Sequence, residues 1–233
     1  MTTLLAHHSI APLLPRILIA ALLVSVAATV AAERLDVGQF SQGVLKHWEA
    51  EKFSGITEYQ LETDSERGTV LGARSQGSAS GLFRKIDLDL NATPWLHWSW
   101  KIDKLLQGAD ERTKAGDDYP ARIYVVFSGG VFFWKTRALN YVWSSHQPIG
   151  SEWPNAYTGN ARMIAVQSAE TAPGQWRSEI RDVRADYRRL FGEEPGKVVA
   201  VALMTDTDNT GQSVKAWYGD IWFSESATRT AAE

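Results

Sequence analysis

The sequence predicts an all-β fold: a two-sheet β-sandwich with one surface helix. Three observations predict it. Short stretches of alternating apolar and polar residues, about ten in all, recur between polar turns. Residues 197–205 are apolar on both faces, as a strand in the middle of a sheet must be. Only residues 181–191 repeat apolar side chains at helical spacing, through Val183, Tyr187, Leu190 and Phe191. Strands in that number bury their apolar faces by packing two sheets against each other.

The N-terminus reads as an address and not as part of the fold. Arg16 precedes an apolar run at residues 17–30, and Val30-Ala31-Ala32 supplies the small residues of a cleavage site. The run is shorter than the roughly 20 apolar residues that span a bilayer. An uncleaved anchor is the alternative. The expected organisation is a signal peptide at 1–32, a single sandwich domain at 33–224 and a disordered tail at 225–233, with no stable membrane span after cleavage. Loss of residues 1–32 removes one arginine and no acid, taking the net charge from −3 to −4. A mildly acidic chain lacks the basic stripe that nucleic acid requires. There is no cysteine, hence no disulfide, thiolate nucleophile or cysteine zinc site. A periplasmic or secreted location is expected.

In chain order, strands are predicted at residues 44–48, 56–62, 70–75 and 82–88. Residues 76–81 form a Gly- and Ser-rich connector before the last of these. Residues 95–101 come next, with Leu96, Trp98, Trp100 and Ile102 on one face and Trp95, His97, Ser99 and Lys101 on the other. A charged loop at 103–118 leads to a strand in which Ala121, Ile123, Val125 and Phe127 oppose Arg122, Tyr124 and Val126. Residues 131–157 are dense in aromatics and broken by Gly, Pro and Ser. Residues 161–167 make another strand. The helix at 181–191 carries Arg188 and Arg189 in its last turn and meets Gly192 where a C-terminal cap belongs. Strands at 197–205 and 214–223 complete the fold, the first of them and residues 123–127 at the centre of a sheet.

Familiar catalytic patterns are missing. No Gly-x-Ser-x-Gly elbow, no His-Glu-x-x-His and no glycine-rich phosphate loop before a helix occurs. Three constellations remain. The first is Asp117 and Asp118 beside Arg122. An arginine in an apolar run needs a partner if it is covered. The group reads as a turn with a local ion pair, as a ligand-recognition corner, or as a catalytic carboxylate pair. The second is Asp206-Thr207-Asp208-Asn209-Thr210-Gly211, with oxygen-bearing side chains at alternate positions. It reads as a tight polar turn or as a calcium site built on Asp206, Asp208 and Asn209. Its twelfth position is Trp217, so it is no EF-hand. The third is aromatic: Trp95, His97, Lys101, Trp134, Trp143 and Trp153 furnish stacking candidates, or else simply core residues.

Several longer motifs carry a resemblance. They are Thr93-Pro94-Trp95-Leu96-His97-Trp98-Ser99-Trp100, Gly116-Asp117-Asp118-Tyr119-Pro120-Ala121-Arg122, Asn140-Tyr141-Val142-Trp143, Asp186-Tyr187-Arg188-Arg189-Leu190-Phe191-Gly192 and Met204-Thr205-Asp206-Thr207-Asp208-Asn209-Thr210. Together they resemble an exported bacterial family of unknown function, the one numbered 3047. The resemblance covers nearly all of residues 36–223. It implies export and a jelly-roll-like sandwich similar to carbohydrate-binding modules, and it implies no activity.

The functional expectation is a non-catalytic protein that binds a polysaccharide or a cell-envelope glycan. The expected ligand residues are Asp117, Asp118, Arg122, Tyr124, His97 and Trp143. No cofactor is expected beyond the calcium ion of the second constellation. The alternatives are a sandwich-type hydrolase or lyase, and a structural envelope protein without a small ligand.

Overall fold

A computed structural model describes residues 34–108, 110–130 and 135–228. The expected signal peptide at 1–32, residues 131–134 and the end of the tail lie outside the described residues. Two antiparallel-rich sheets pack face to face, as expected. The first sheet contains β1 (Arg34–Gly38), β3 (Glu58–Asp64), β4 (Gly68–Gln76), β6 (Trp95–Ile102), β11 (Arg177–Asp182) and β13 (Ser213–Ser224). Its order is β11-β6-β13-β4-β3, with β1 also paired to β13. The second sheet contains β2 (Glu49–Ser54), β5 (Ala79–Leu88), β7 (Ala121–Phe127), β8 (Arg137–Trp143), β9 (Glu152–Pro154), β10 (Ala161–Gln167) and β12 (Val198–Asp206). Its order is β2-β5-β12-β7-β8-β10-β9, so β12 and β7 are central, as their apolar sequences predict. The pair β8–β10 runs parallel.

Alternation decides what lies between the sheets. The inward face of β6, Leu96, Trp98, Trp100 and Ile102, is fully buried. It meets β8 of the opposite sheet: Trp98 packs on Tyr141 at 5.3 Å and Trp100 on Trp143 at 5.9 Å between ring centroids. Helix α1 (Val183–Phe191) closes one end, with Val183 and Tyr187 buried and the Tyr187 ring 4.5 Å from Phe127. The Asp182 side chain accepts the Ala185 N–H at its start, and Gly192 at φ 72° caps its end. Among the described residues, no helix is long and apolar enough to cross a membrane.

Several boundaries differ from expectation, and β2 was not expected as a strand. The domain opens with β1 and not at residues 44–48, where Val44 makes only an isolated bridge to Gln39. Residues 79–81 belong to β5, leaving Gly77 and Ser78 as the turn; Gly81 fits because its backbone lies close against the Leu203 carbonyl. Strand β11 precedes the helix and takes Arg181 and Asp182 from it. A short strand, β9, lies inside the aromatic-rich stretch.

Candidate functional site

On β7 the core takes Ala121, Ile123, Val125 and Phe127, so Arg122 and Tyr124 point to the outer face of the second sheet. Register sets Met204 of β12 opposite Arg122. Asp206 follows two residues on, on the same face. Arg122 Nη2 donates to Asp206 Oδ2 at 2.7 Å and lies 3.2 Å from Met204 Sδ; Nη1 is 3.9 Å from Asp117. The guanidinium sits 5.1 Å from the ring centroids of both Tyr119 and Tyr124.

This face is roofed. Tyr119, Val142, Trp153, Met163 and Ala165 form a second small apolar cluster. Arg122 is left 5% exposed. The sequence expectation is therefore corrected in three respects. Arg122, Asp117 and Tyr124 come together, but Arg122 and Asp117 are buried and Tyr124 half-buried, so they do not form an open ligand corner. Asp118 is not the partner of Arg122; it accepts the Asn209 and Thr210 N–H groups at 3.2 and 2.7 Å and pins the turn after β12. Trp143 is fully buried in the inter-sheet core, and His97 lies on the other sheet, so the six expected ligand residues share no surface. The physical reason is local packing: Tyr119, just before β7, lies over the guanidinium, while Asp206 and Asp117 take up its charge.

Four carboxylates crowd around Arg122. Asp118, Asp206 and Asp208 each place an oxygen within 4.8 Å of the other two. Burial raises the carboxyl of Asp206 well above its ordinary range against the pull of Arg122, and Asp118, Asp117 and Asp208 add like charge. Burial and Asp118 likewise raise Asp208. Asn209 contributes its backbone N–H to Asp118, while its side-chain amide donates to the Tyr157 hydroxyl at 3.3 Å.

Sequence reasoning missed Glu111. This carboxylate is 1% exposed inside the charged loop at 103–118. It accepts from the Ser144 hydroxyl and from the Ser145 N–H at 2.5 Å, tying that loop to the end of β8. Burial pushes its pKa up to about 7, against those hydrogen bonds. One glutamate in a charged loop carries no sequence signal of burial.

An open concavity lies on the outer face of the first sheet. The register between β13 and β6 slips between Tyr218 and Ile221. Gly219 sits in this bulge against Ser99, where an added Cβ would overlap the serine hydroxyl. The result is a cavity of about 370 Å³, lined among others by Arg34, Glu66, Arg67, Ser99, Asp220 and Trp222. Trp222 is held edge-on: His97 stacks on it at 5.0 Å with planes 8° apart, and Arg34 lies 4.3 Å from its ring centroid. His97 Nε2 also shares a hydrogen bond of 2.7 Å with Ser224. Asp220 accepts the Ser41 N–H and hydroxyl at 2.8 and 2.5 Å. Arg67 contacts the Ser178 hydroxyl at 3.3 Å and lies over Trp176 at 5.7 Å. Trp98, next to Ser99 on β6, also borders the cavity, while its ring lies in the core against Tyr141. The outward alternation of His97, Ser99 and Lys101 is the sequence signal for this face; the bulge that hollows it is not visible in sequence.

Comparison with known proteins decides the family. A family model described as "Protein of unknown function (DUF3047)" matches residues 46–222. The chain belongs to this family. The DUF3047 match spans every strand of both sheets except β1, with the last residues of β13 beyond it. No curated protein matches the chain by sequence. Among solved structures, the family 30 carbohydrate-binding module of the cellulosomal cellulase Cel9D-Cel44B of Clostridium thermocellum is similar at 8% identity and a TM-score of 0.50, over 84% of this chain and 99% of the module. The family 11 module of Lic26A-Cel5E from the same organism is similar at 11% identity and a TM-score of 0.46, over 83% and 95%. The glycoside hydrolase domain of Endo-D from Streptococcus pneumoniae R6 is similar at 9% identity and a TM-score of 0.41, over 78% of this chain; the chain spans only 22% of that protein. At such identities the likeness is one of fold, and this DUF3047 chain has the β-sandwich of carbohydrate-binding modules.

Proposed function

We propose that the chain is an exported, non-catalytic glycan-binding protein, and that its binding surface is the outer face of the first sheet. The observation that carries this reading is the cavity of about 370 Å³ at the β13 bulge. Its size suits one or two sugar rings, and its lining combines the edge of Trp222 with the serine, arginine and carboxylate groups that hydroxyl rims require. The tryptophan faces are already occupied by cations and by His97. Recognition here is therefore polar and edge-on, not by broad ring stacking. The similar fold of the family 30 carbohydrate-binding module supports the class of ligand. Export rests on the Arg16 to Ala32 pattern, and a mature domain at 33–224 follows from it.

Affinity electrophoresis and tryptophan fluorescence against a polysaccharide panel, cell-wall material included, test the proposal. Binding is expected, and Arg67→Ala should weaken it at least ten-fold with an unchanged melting temperature. No retardation on any polysaccharide would overturn the reading. Release of reducing ends or unsaturated sugars would replace it with the hydrolase or lyase alternative.

A further inference from the structure

We infer that Asp118, Asp206 and Asp208 form a binding site for a hard divalent cation of the calcium type. Two segments build it. Asp118 lies just before β7, Asp206 ends β12 and Asp208 lies in the following turn. Their carboxylates each contribute an oxygen to a cluster less than 4.8 Å across. With Asp117 nearby, four carboxylates face a single guanidinium, Arg122, whose closest contact is with Asp206 at 2.7 Å. Like charges at that spacing repel strongly where burial removes screening.

A second observation points to a ligand. Arg122 occupies only Oδ2 of Asp206. The other oxygen, Oδ1, is buried and has no hydrogen-bond partner, on a side chain that is 1% exposed. A buried, unpartnered carboxylate oxygen costs free energy unless something takes its lone pairs. Thr210 Oγ1 is also buried and unpartnered, and its backbone N–H binds Asp118 Oδ2. An all-oxygen set with carboxylates from separate segments suits calcium, which tolerates irregular geometry and completes its shell with water and carbonyl groups. Asp208 is only half-buried and gives the ion an entry path. The site joins the Asp206 turn to the loop before β7.

The test uses the full chain, stripped with chelator and titrated with calcium chloride by calorimetry and by thermal melting. One calcium ion per chain is expected. Calcium at about 100-fold over its dissociation constant should raise the melting temperature by roughly 5–10 °C. Asp208→Asn leaves the Arg122–Asp206 pair intact and should abolish both effects. Asp87→Asn, at an exposed carboxylate paired with Lys197, should abolish neither. Heats equal to dilution with no thermal shift, or wild-type affinity in Asp208→Asn, would overturn the assignment.

Discussion

Replacing Arg122 by methionine isolates the energetics of the buried network. The arginine is 5% exposed and Asp206 1%, so solvent screens neither charge. Methionine keeps the aliphatic bulk and removes the cation, leaving the buried Asp206 carboxyl among Asp117, Asp118 and Asp208 with no positive partner. Breaking one side of a buried pair costs about 3–5 kcal/mol, because the survivor is stranded. For a domain of this size each kcal/mol shifts the melting temperature by about 2–4 °C, so a fall of roughly 10 °C is expected. The double variant Arg122→Met/Asp206→Leu removes both charges and should recover most of that loss, since an apolar pair of similar volume is often as stable as the ion pair. Thermal and urea unfolding of the wild type, both single variants and the double, all in chelator, closes the cycle. A single variant that melts within about 2 °C of the wild type, or a double variant that loses the sum of the two singles, would refute the network.

Two other perturbations address the loop and the bulge. Glu111 has its pKa raised from 4.5 to about 7, so between those values the folded state holds a proton that the unfolded state has released. Stability must then fall as pH rises from about 4.5 to 7, by about 3 kcal/mol. Glu111→Gln should flatten that slope in urea titrations at pH 5, 6, 7 and 8; an unchanged slope would assign it elsewhere. Gly219→Ala should cost about 1–3 kcal/mol by driving Ser99 from its position, and Ser99→Ala in the same chain should return most of it, because only the serine hydroxyl obstructs the new methyl group. Equal melting of the single and double variants would show that the bulge adjusts freely.

What could be read in advance was whatever alternation controls. The inward set of β6 and the double-sided apolar run of β12 each name their own burial. The helix cap at Gly192 is equally local. Strand β1 escaped notice because five residues carry too little pattern, yet pairing with β13 orders them. The site residues were harder. That Arg122 needed an acid was legible; that the acid would be Asp206, 84 positions away, depended on the β7–β12 register. Asp118 sits four positions from Arg122 and serves another turn altogether. The burial of Arg122 depends on Tyr119 in the loop before β7 and on Asp206 at the end of β12, which no single strand encodes. His97 and Trp143 are both aromatic and both buried, and only the sheet assignment separates them.

Strand β13 holds the first sheet together, being the partner of β1, β4 and β6 alike. Without it the sheet falls apart into β3 with β4, β6 with β11, and a stray β1. Half of the sandwich therefore has no framework until residues beyond 213 join it, and the loop closed by β1 and β13 spans almost the whole domain. Such closure pays its chain entropy before contacts reward it, which makes assembly late, slow and cooperative. Until then the tryptophans of β6 have no stable cover and can cluster between chains. A chain cut short before β13 should be recognised as unfolded, because β4, β6 and β1 then lack their shared partner.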